Sequence, residues 1–194
     1  MQSELGRILA PSGMSAAWLP VDVPRTSGQD FPAVVVVRFA GHCSFEGPSN
    51  GAADPAGQAL AEADTVAGHV LPFARVDCDR VRALITPSLL AMPPAWKSEM
   101  LGRALARVSA HEIYHMLSGV ETHGASGIFQ AGHSRRDLTA TTFSFAAPEN
   151  SWLHGWLQRQ TDPVQVAKAV PGETTSGSGA AVLDESDSAD FAGR

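Results

Sequence analysis

The stretch AWKSEMLGRALARVSAHEIYHMLSG, residues 95 to 119, decides what this chain can build. It contains no proline, and its large apolar residues recur near the spacing of one helical face. These residues are Leu101, Leu105, Val108 and Met116. Pro94 before the stretch and Gly119 at its end are the residues expected at the first turn of a helix and just after its last turn. The pattern predicts one long helix from about Ala95 to about Ser118.

The motif HEIYH, residues 111 to 115, sets two histidines four residues apart on this helix. Residues at this spacing project from one face, so His111 and His115 can direct two imidazole nitrogens at one ion. Zinc is the ion for which this spacing is typical. Glu112 lies about 100° around the helix axis, too far to be the natural third ligand but near enough to reach a water on the metal. The motif therefore predicts one Zn²⁺ ion, with Glu112 as general base.

A zinc site of this kind needs a third protein ligand. His123 follows His115 by eight residues and lies just beyond Gly119. Glycine at 119 and again at 124 would let the backbone reverse and return an imidazole beneath the helix. His123 is the favoured third ligand on these grounds. Other downstream side chains that can bind zinc stay open as alternatives: Glu121, His133, Asp137 and Glu149.

Three segments before the helix have features of strands. AVVVVRF, residues 33 to 39, is short, apolar and β-branched, as a buried central strand should be. GHVLPFARVDCD, residues 68 to 79, alternates well enough for another strand, and Pro72 predicts that it lies at a sheet edge. MSAAWLPVDV is ambiguous but can contain a strand before Pro24.

Further helices are predicted at both ends of the chain. SELGRILA has helical spacing, with Ser3 as N-cap and Pro11 as the stop. RRDLTATTF, starting at residue 135, and SWLHGWLQRQTDPVQVAKAV, starting at residue 151, indicate helical pieces after the histidine-rich segment. Residues 47 to 57 contain two prolines and three glycines and are predicted to form a loop.

Length and composition predict one domain. With 194 residues, of which 44% are hydrophobic, the chain can bury one core but hardly two. We expect a single domain over residues 1 to 170 and a disordered acidic tail, rich in Ser and Gly, over 171 to 194.

The formal charge is −6, and the last 24 residues, with five acidic residues and Arg194, carry −4 of it. No basic run marks a phosphate-binding face and no apolar run is long enough to span a bilayer, so neither nucleic acid nor membrane is expected as a partner.

The two cysteines, Cys43 and Cys78, are compatible with one disulfide or with two buried thiols. A disulfide would indicate an extracytoplasmic or secreted protein whose export signal lies upstream, because the first residues do not resemble a signal peptide. Two thiols would favour the cytoplasm. Asp77 and Asp79, on either side of Cys78, are expected to cap a following helix.

The segments GRALARVSAHEIYHML, ETHG and GIFQAGHSRRDL resemble a group of uncharacterised bacterial zincin-like proteins over roughly residues 102 to 138. VVVVRFAGHC and GHVLPFARVDCDRV extend the likeness upstream. The resemblance implies zinc on His111, His115 and His123, with Glu112 as catalytic base. It also implies an α+β, metzincin-like fold, in which a small twisted mixed sheet packs on the long active-site helix and further helices follow.

The chain departs from the metzincin pattern HExxHxxGxxH in two ways. Two extra residues separate the second histidine from His123, and the glycine, Gly119, comes one place late. Phe129, after Gly127 and Ile128, stands where these enzymes have a methionine beneath the metal. Phenylalanine supplies an apolar floor without the thioether.

These observations predict a zinc metallopeptidase in which Glu112 assists the attack of a zinc-bound water on a peptide bond, with a peptide or protein as substrate. Two other interpretations stay open. One is a catalytically silent, zinc-stabilised binding domain that uses the same three histidines, and the other is a helical scaffold without metal. Tyr114, in the middle of the motif, is interpreted as a packing residue rather than a catalytic one.

Overall fold

The computed structural model describes residues 1–19, 30–46 and 59–162, and these form a mixed α+β structure. The strands are β1 (Val36–Ala40), β2 (Ala61–Val66) and β3 (His69–Asp77). The helices are α1 (Gln2–Leu9), α2 (Cys78–Leu89), α3 (Pro94–Ser118), α4 (Arg135–Thr139) and α5 (Ala147–Thr161). The fold class predicted from the sequence is confirmed at this level. The predicted loop at 47 to 57, the boundary at residue 170 and the tail at 171 to 194 lie outside the described residues.

The long helix α3 agrees with its prediction to within one residue at its start. Pro94 occupies the first turn, and Gly119 ends the helix in the left-handed conformation at φ 69°. The Gly119 N–H donates to the carbonyl of His115 at 2.8 Å. Because residues other than glycine rarely adopt this left-handed conformation, a side chain at position 119 would strain the turn. The second half of α3 is buried on all sides from Ala104 to Met116. It therefore forms the centre of the molecule rather than one wall of it.

The three strands form a mixed sheet in the order β1-β3-β2. β1 is parallel to β3, and β2 is antiparallel to it. The prediction that AVVVVRF forms the central strand is wrong, because β1 lies at the edge of the described sheet. The prediction that the strand with Pro72 lies at an edge is also wrong, because β3 is central.

The local register explains how a proline is accommodated in the central strand. β1 begins to pair with β3 only at Phe73. On the other side, β2 has an irregularity between Ala63 and Thr65, opposite the segment that contains Pro72. Neither ladder has a regular residue pair at Pro72, so its missing N–H removes no ladder hydrogen bond.

Strand β2 was not expected from the sequence. Its residues, AEADTV, include alanine and acidic types that are uncommon in strands. A two-residue turn joins β2 to β3, with Ala67 at φ 50° and Gly68 at φ 76°. Two consecutive positive φ values are typical of tight β-hairpins. Asparagine or aspartate usually precedes the glycine of such a turn. Ala67 occupies that position here, so the turn is not recognisable from the sequence.

The ends of α1 differ from the prediction. The helix begins at Gln2 rather than after Ser3, and Pro11 lies in a 3₁₀ turn over Ala10–Ser12 that continues α1. The expected apolar face is present, because Leu5, Ile8 and Leu9 are buried. The possible strand in MSAAWLPVDV does not form over residues 14–19, and the rest of that segment lies outside the described residues.

A buried arginine ties α3 to two neighbouring helices. The Arg107 side chain is 0% exposed, and its Nε donates to Glu4 of α1 at 2.8 Å. Its two terminal nitrogens donate to the carbonyls of Asp137 and Ala140, at 2.6 and 2.8 Å. These carbonyls lie in and just after α4, so one guanidinium links both α1 and α4 to α3.

Cys43 and Cys78 form a disulfide that links the loop after β1 to the first turn of α2. Asp77 caps α2 by accepting the Arg80 N–H at 3.1 Å, as predicted. Asp79 instead binds Arg82 at 2.8 Å. Among the described helices, none is both long and apolar enough to cross a bilayer.

Candidate metal centre

Three histidines from two parts of the chain converge beside α3. Nε2 of His115 lies 3.1 Å from Nε2 of His111 and 3.3 Å from Nε2 of His123. The ring centroids of His111 and His123 are 5.1 Å apart. Tetrahedral zinc with nitrogens at 2.0–2.1 Å sets its ligand atoms about 3.3 Å from each other. Two of the three nitrogen spacings match this value, and all three ligand atoms lie within 4.8 Å of one another, close enough to hold one metal ion.

The other ring nitrogen of each helical histidine faces a backbone carbonyl. Nδ1 of His111 is 2.8 Å from the Ile128 oxygen, and Nδ1 of His115 is 2.6 Å from the Val120 oxygen. A carbonyl only accepts, so each Nδ1 carries the hydrogen and each neutral ring leaves a bare lone pair on Nε2. Two such lone pairs 3.1 Å apart repel each other unless a cation lies between them. The tautomers are those required of metal ligands.

Burial keeps both rings in the neutral form that binds metal. It lowers the pKa of His111 to about 3, against the hydrogen bond to Ile128, which acts in the opposite direction. Burial also lowers the pKa of His115, although the hydrogen bond to Val120 opposes it. Protons therefore do not compete for these nitrogens near neutral pH.

The loop after α3 returns His123 to the helix, as the sequence predicted for Gly119. Gly124, the next residue, donates its N–H to the carbonyl of Phe129 at 2.9 Å. Gly124 is not needed for a positive φ. Its Cα lies so close to the buried Glu149 carboxylate that a Cβ would be 2.6 Å from the nearer oxygen. A larger residue here would have to displace the end of the Glu149 side chain, so glycine is favoured by close approach rather than by a left-handed conformation.

Phe129 forms an apolar floor under the site. Its ring centroid is 5.5 Å from that of His111, 4.8 Å from His115 and 5.7 Å from His123. The side chain is buried. Phe129 therefore packs against the rings that would hold the ion.

Glu112 is buried in the cleft beside the three histidines. Burial raises the pKa of its carboxyl group to about 7, although a hydrogen bond from the Ala63 N–H of β2 acts to lower it. The negative charge of Glu62 raises it further. A carboxyl group with a pKa near 7 can take up and release a proton at neutral pH.

The alternative third ligands have other partners or lie apart from the cluster. His133 lines the cleft, but its Nε2 donates to the Ile128 carbonyl at 2.7 Å. Asp137 accepts hydrogen bonds at the start of α4 from Ser134 and Gln130. Glu149 packs behind Gly124, and Glu121 lines the cleft beside His123. Over the described ranges, one group of three His, Cys, Asp or Glu side chains lies close enough to hold a metal ion, namely His111, His115 and His123.

Tyr114 points away from the cleft. Its ring packs against Phe129, Phe145 and Trp152, with centroid distances of 4.1, 5.5 and 5.4 Å. The interpretation of Tyr114 as a packing residue agrees with this arrangement.

The cleft in front of the histidines has a volume of about 810 Å³. One wall is β2, with Ala61, Glu62 and Ala63, and another is the loop with Glu121 and His123. Sequence reasoning missed the β2 wall entirely. The only signal was the weak alternation of alanine and acidic residues in AEADTV.

No family model, curated protein or solved structure matches the chain.

Proposed function

We propose that the protein is a zinc-dependent peptidase with a zincin-like fold. The observation that carries this proposal is the convergence of three Nε2 atoms, from His111, His115 and His123, in a cleft that also holds a buried carboxyl group. Zinc on these nitrogens would supply a Lewis acid that activates water and polarises a carbonyl. A purely structural zinc site usually has four protein ligands and has no need of Glu112.

The proposed role of Glu112 is to move a proton. Its pKa of about 7 suits it to take a proton from the attacking water and to deliver it to the departing amine. The hydrogen bond from the Ala63 N–H fixes the orientation of the carboxyl group. Removing the carboxylate should therefore stop the reaction while leaving the three histidines unchanged.

The backbone of β2 supports a polypeptide as the substrate. The Leu60 carbonyl accepts from the Asp77 N–H at 2.9 Å, so the polar backbone groups of Leu60 face β3. By strand alternation, those of Ala61 and Ala63 face away from β3, and both residues line the cleft. The Ala63 N–H donates to Glu112, so the Ala61 groups and the Ala63 carbonyl are the ones left for a substrate. An extended peptide can hydrogen-bond to an outer strand of this kind. A peptide bond laid along β2 would pass in front of the histidines.

The disulfide supports a proposed extracytoplasmic location. Disulfides persist in oxidising compartments and are rare in the cytosol. The Cys43–Cys78 disulfide would persist in an oxidising compartment and therefore favours a location outside the cytoplasm.

The test uses the purified protein loaded with zinc and an unfolded protein as a general substrate. We expect wild type to hydrolyse it, chelation to abolish hydrolysis, and Glu112→Gln to keep the zinc but lose the activity. Glu99→Gln is the matched control, because Glu99 is an exposed glutamate on the same helix, paired with Arg103 at 3.0 Å. Full activity in Glu112→Gln would remove this residue from the mechanism. Bound zinc without hydrolysis in wild type would favour the silent binding domain instead.

A further inference from the structure

The cleft is lined by acidic side chains on both walls. Glu62 lies on the β2 wall, Glu121 lies on the loop wall, and Glu112 lies between them on α3. Neither lysine nor arginine lines this cleft in the described part of the chain. Histidines supply its remaining titratable groups. The protein groups that line the cleft therefore contribute negative charge, which a zinc ion on the histidines would offset in part.

The two acidic residues each act electrostatically on a different group of the centre. The charge of Glu62 raises the pKa of Glu112, and the charge of Glu121 acts to raise the pKa of His115. Within the described ranges, neither carboxylate lies within 4.0 Å of a basic side chain. Their charges are thus left for whatever enters the cleft.

Five acidic residues elsewhere in the described structure are paired with arginines. The shortest of these contacts is 2.8 Å and the longest is 3.8 Å. The paired acidic residues are Glu4, Asp64, Asp77, Asp79 and Glu99. Glu62 and Asp64 make a useful comparison, because they are two residues apart on β2 and only Asp64 has an arginine partner, Arg38. By strand alternation the two side chains share one face of β2, where Glu62 is the register partner of Arg75 but makes no ion pair within 4.0 Å in the described structure.

The walls also leave space for a long side chain. The residues that line the cleft around the two glutamates include small ones: Ala59, Ala61, Ala63, Ala131 and Gly132. An extended lysine or arginine side chain needs such space, because its charged group lies several bonds from the backbone. A bulky wall would instead exclude it.

We propose that the cleft selects polypeptides with a lysine or arginine close to the scissile bond, and that Glu62 and Glu121 bind this basic side chain. The inference rests on the proposed peptidase function, because it assigns the substrate class of the same cleft. Solvent-exposed ion pairs contribute modestly, so each glutamate should change the preference by about two- to fivefold.

The test compares internally quenched peptides that differ at single positions on either side of the cleaved bond. Each position carries lysine, neutral norleucine of similar length, or glutamate. For zinc-loaded wild type, kcat/KM should fall in that order at one position or more. Glu62→Gln and Glu121→Gln should each lower the ratio of lysine to norleucine about two- to fivefold, and the double variant should lower it further. Added salt should reduce the same ratio.

Asp64→Asn is the matched control, since it removes one negative charge from the same strand without altering the lining of the cleft. It should leave the ratio unchanged. Equal ratios in wild type and Glu62→Gln, or a preference for glutamate, would overturn the proposed selectivity while hydrolysis itself stands.

A second readout covers the case in which no peptide is cleaved. The same peptides, labelled with a fluorophore, are titrated with zinc-loaded wild type, Glu62→Gln and Asp64→Asn, and binding is followed by anisotropy. Tighter binding of the lysine peptides that weakens only in Glu62→Gln supports the basic-ligand site even without catalysis. Equal binding of all three peptides overturns it.

Discussion

The Nε2 atoms of His111 and His115 lie 3.1 Å apart on consecutive turns of α3, and the carbonyls at the two Nδ1 atoms favour the tautomer that leaves each Nε2 without a hydrogen. The hydrogen of each ring is on Nδ1, which donates to a backbone carbonyl. Two converging lone pairs are unfavourable in a buried site unless a positive charge lies between them. The local structure of the protein thus prepares these rings for a cation.

The first prediction concerns metal content. His111→Ala, His115→Ala and His123→Ala should each lose stoichiometric zinc after dialysis, because two imidazoles do not complete the site. His69→Ala, at the exposed start of β3, is the control and should retain it. Elemental analysis of the purified proteins measures the effect. Zinc retained in His111→Ala would end the metal interpretation.

The second prediction is a pH dependence of the metal-free protein. Burial lowers the pKa of His111 to about 3 in the folded state, whereas an unfolded chain titrates near 6.5. Between these values the unfolded state binds more protons, so the free energy of unfolding should rise with pH and be lost as the pH falls through this window. The slope from one such histidine is at most about 1.4 kcal/mol per pH unit.

His111→Gln isolates this contribution. Glu112 acts in the opposite direction, because its raised pKa of about 7 makes the folded state bind more protons and stability is lost as the pH rises toward 7. Denaturant unfolding of both metal-free proteins from about pH 4 to about pH 7 gives the difference. The variant should show a flatter dependence on the acid side, and identical slopes would contradict the expected role of burial.

The third prediction tests the floor of the site. Phe129→Ala should destabilise the protein by about 3–5 kcal/mol and also weaken zinc binding, because the ring contacts all three histidines. Phe145→Ala is the matched control, since this buried ring packs on Tyr114 instead. Denaturation and competition with a zinc chelator separate the two effects. Zinc affinity that falls equally in both variants would show that Phe129 acts only through stability.

The fourth prediction concerns the buried arginine. Arg107→Met leaves two carbonyls without their donor and Glu4 with Arg7 alone, and should destabilise by about 2–5 kcal/mol. Arg103→Met, which removes an arginine paired with the exposed Glu99 on the same helix, should change stability by about 1 kcal/mol or less. Chemical denaturation at neutral pH compares the two. Similar losses in both variants would contradict the importance of the Arg107 contacts.

Acid should weaken the same interaction. Burial acts to raise the pKa of Glu4, but hydrogen bonds from Arg7 and Arg107 outweigh it, and the pKa lies below its usual value. A depressed pKa contributes stability above the unfolded value that is lost as the pH falls through the folded one. Glu4→Gln should therefore lose stability at neutral pH and show a smaller loss on acidification than wild type.

The fifth prediction concerns the disulfide. Cys43 and Cys78 are 35 residues apart, and opening a loop of this length should destabilise by about 3–4 kcal/mol on the chain-entropy model. Thermal unfolding with and without a reductant, and of Cys43→Ser, measures the effect. A melting temperature that is insensitive to the reductant would contradict the prediction.

The sequence predicted what depends on local spacing. The bounds of α3, the left-handed Gly119 and the convergence of His111 with His115 follow from positions within one helix and its end. His123 was favoured because it comes soon after that end. Whether one of the alternative third ligands reaches the two helical histidines depends on how the chain folds after α3. The spacing of residues along the sequence does not specify that.

The sheet was predicted less well, because strand order is set by contacts between distant segments. The apolar β1 is at the edge, and β3, which contains Pro72, is central, since the register leaves that proline outside both ladders. The hydrogen bond from Ala63 to Glu112 joins residues 49 positions apart and depends on β2, whose composition is untypical of a strand. No local pattern predicts such a contact.

The Ile128 carbonyl accepts from both His111 and His133. Because this acceptor belongs to the main chain, every amino acid at position 128 retains it, and exchanging the side chain there alters packing without removing the anchor of either ring. A change in the number of residues between Gly119 and Ile128 would move the oxygen itself. The length of this loop therefore determines the orientation of both imidazoles. Insertions and deletions in the loop should be far more damaging than substitutions.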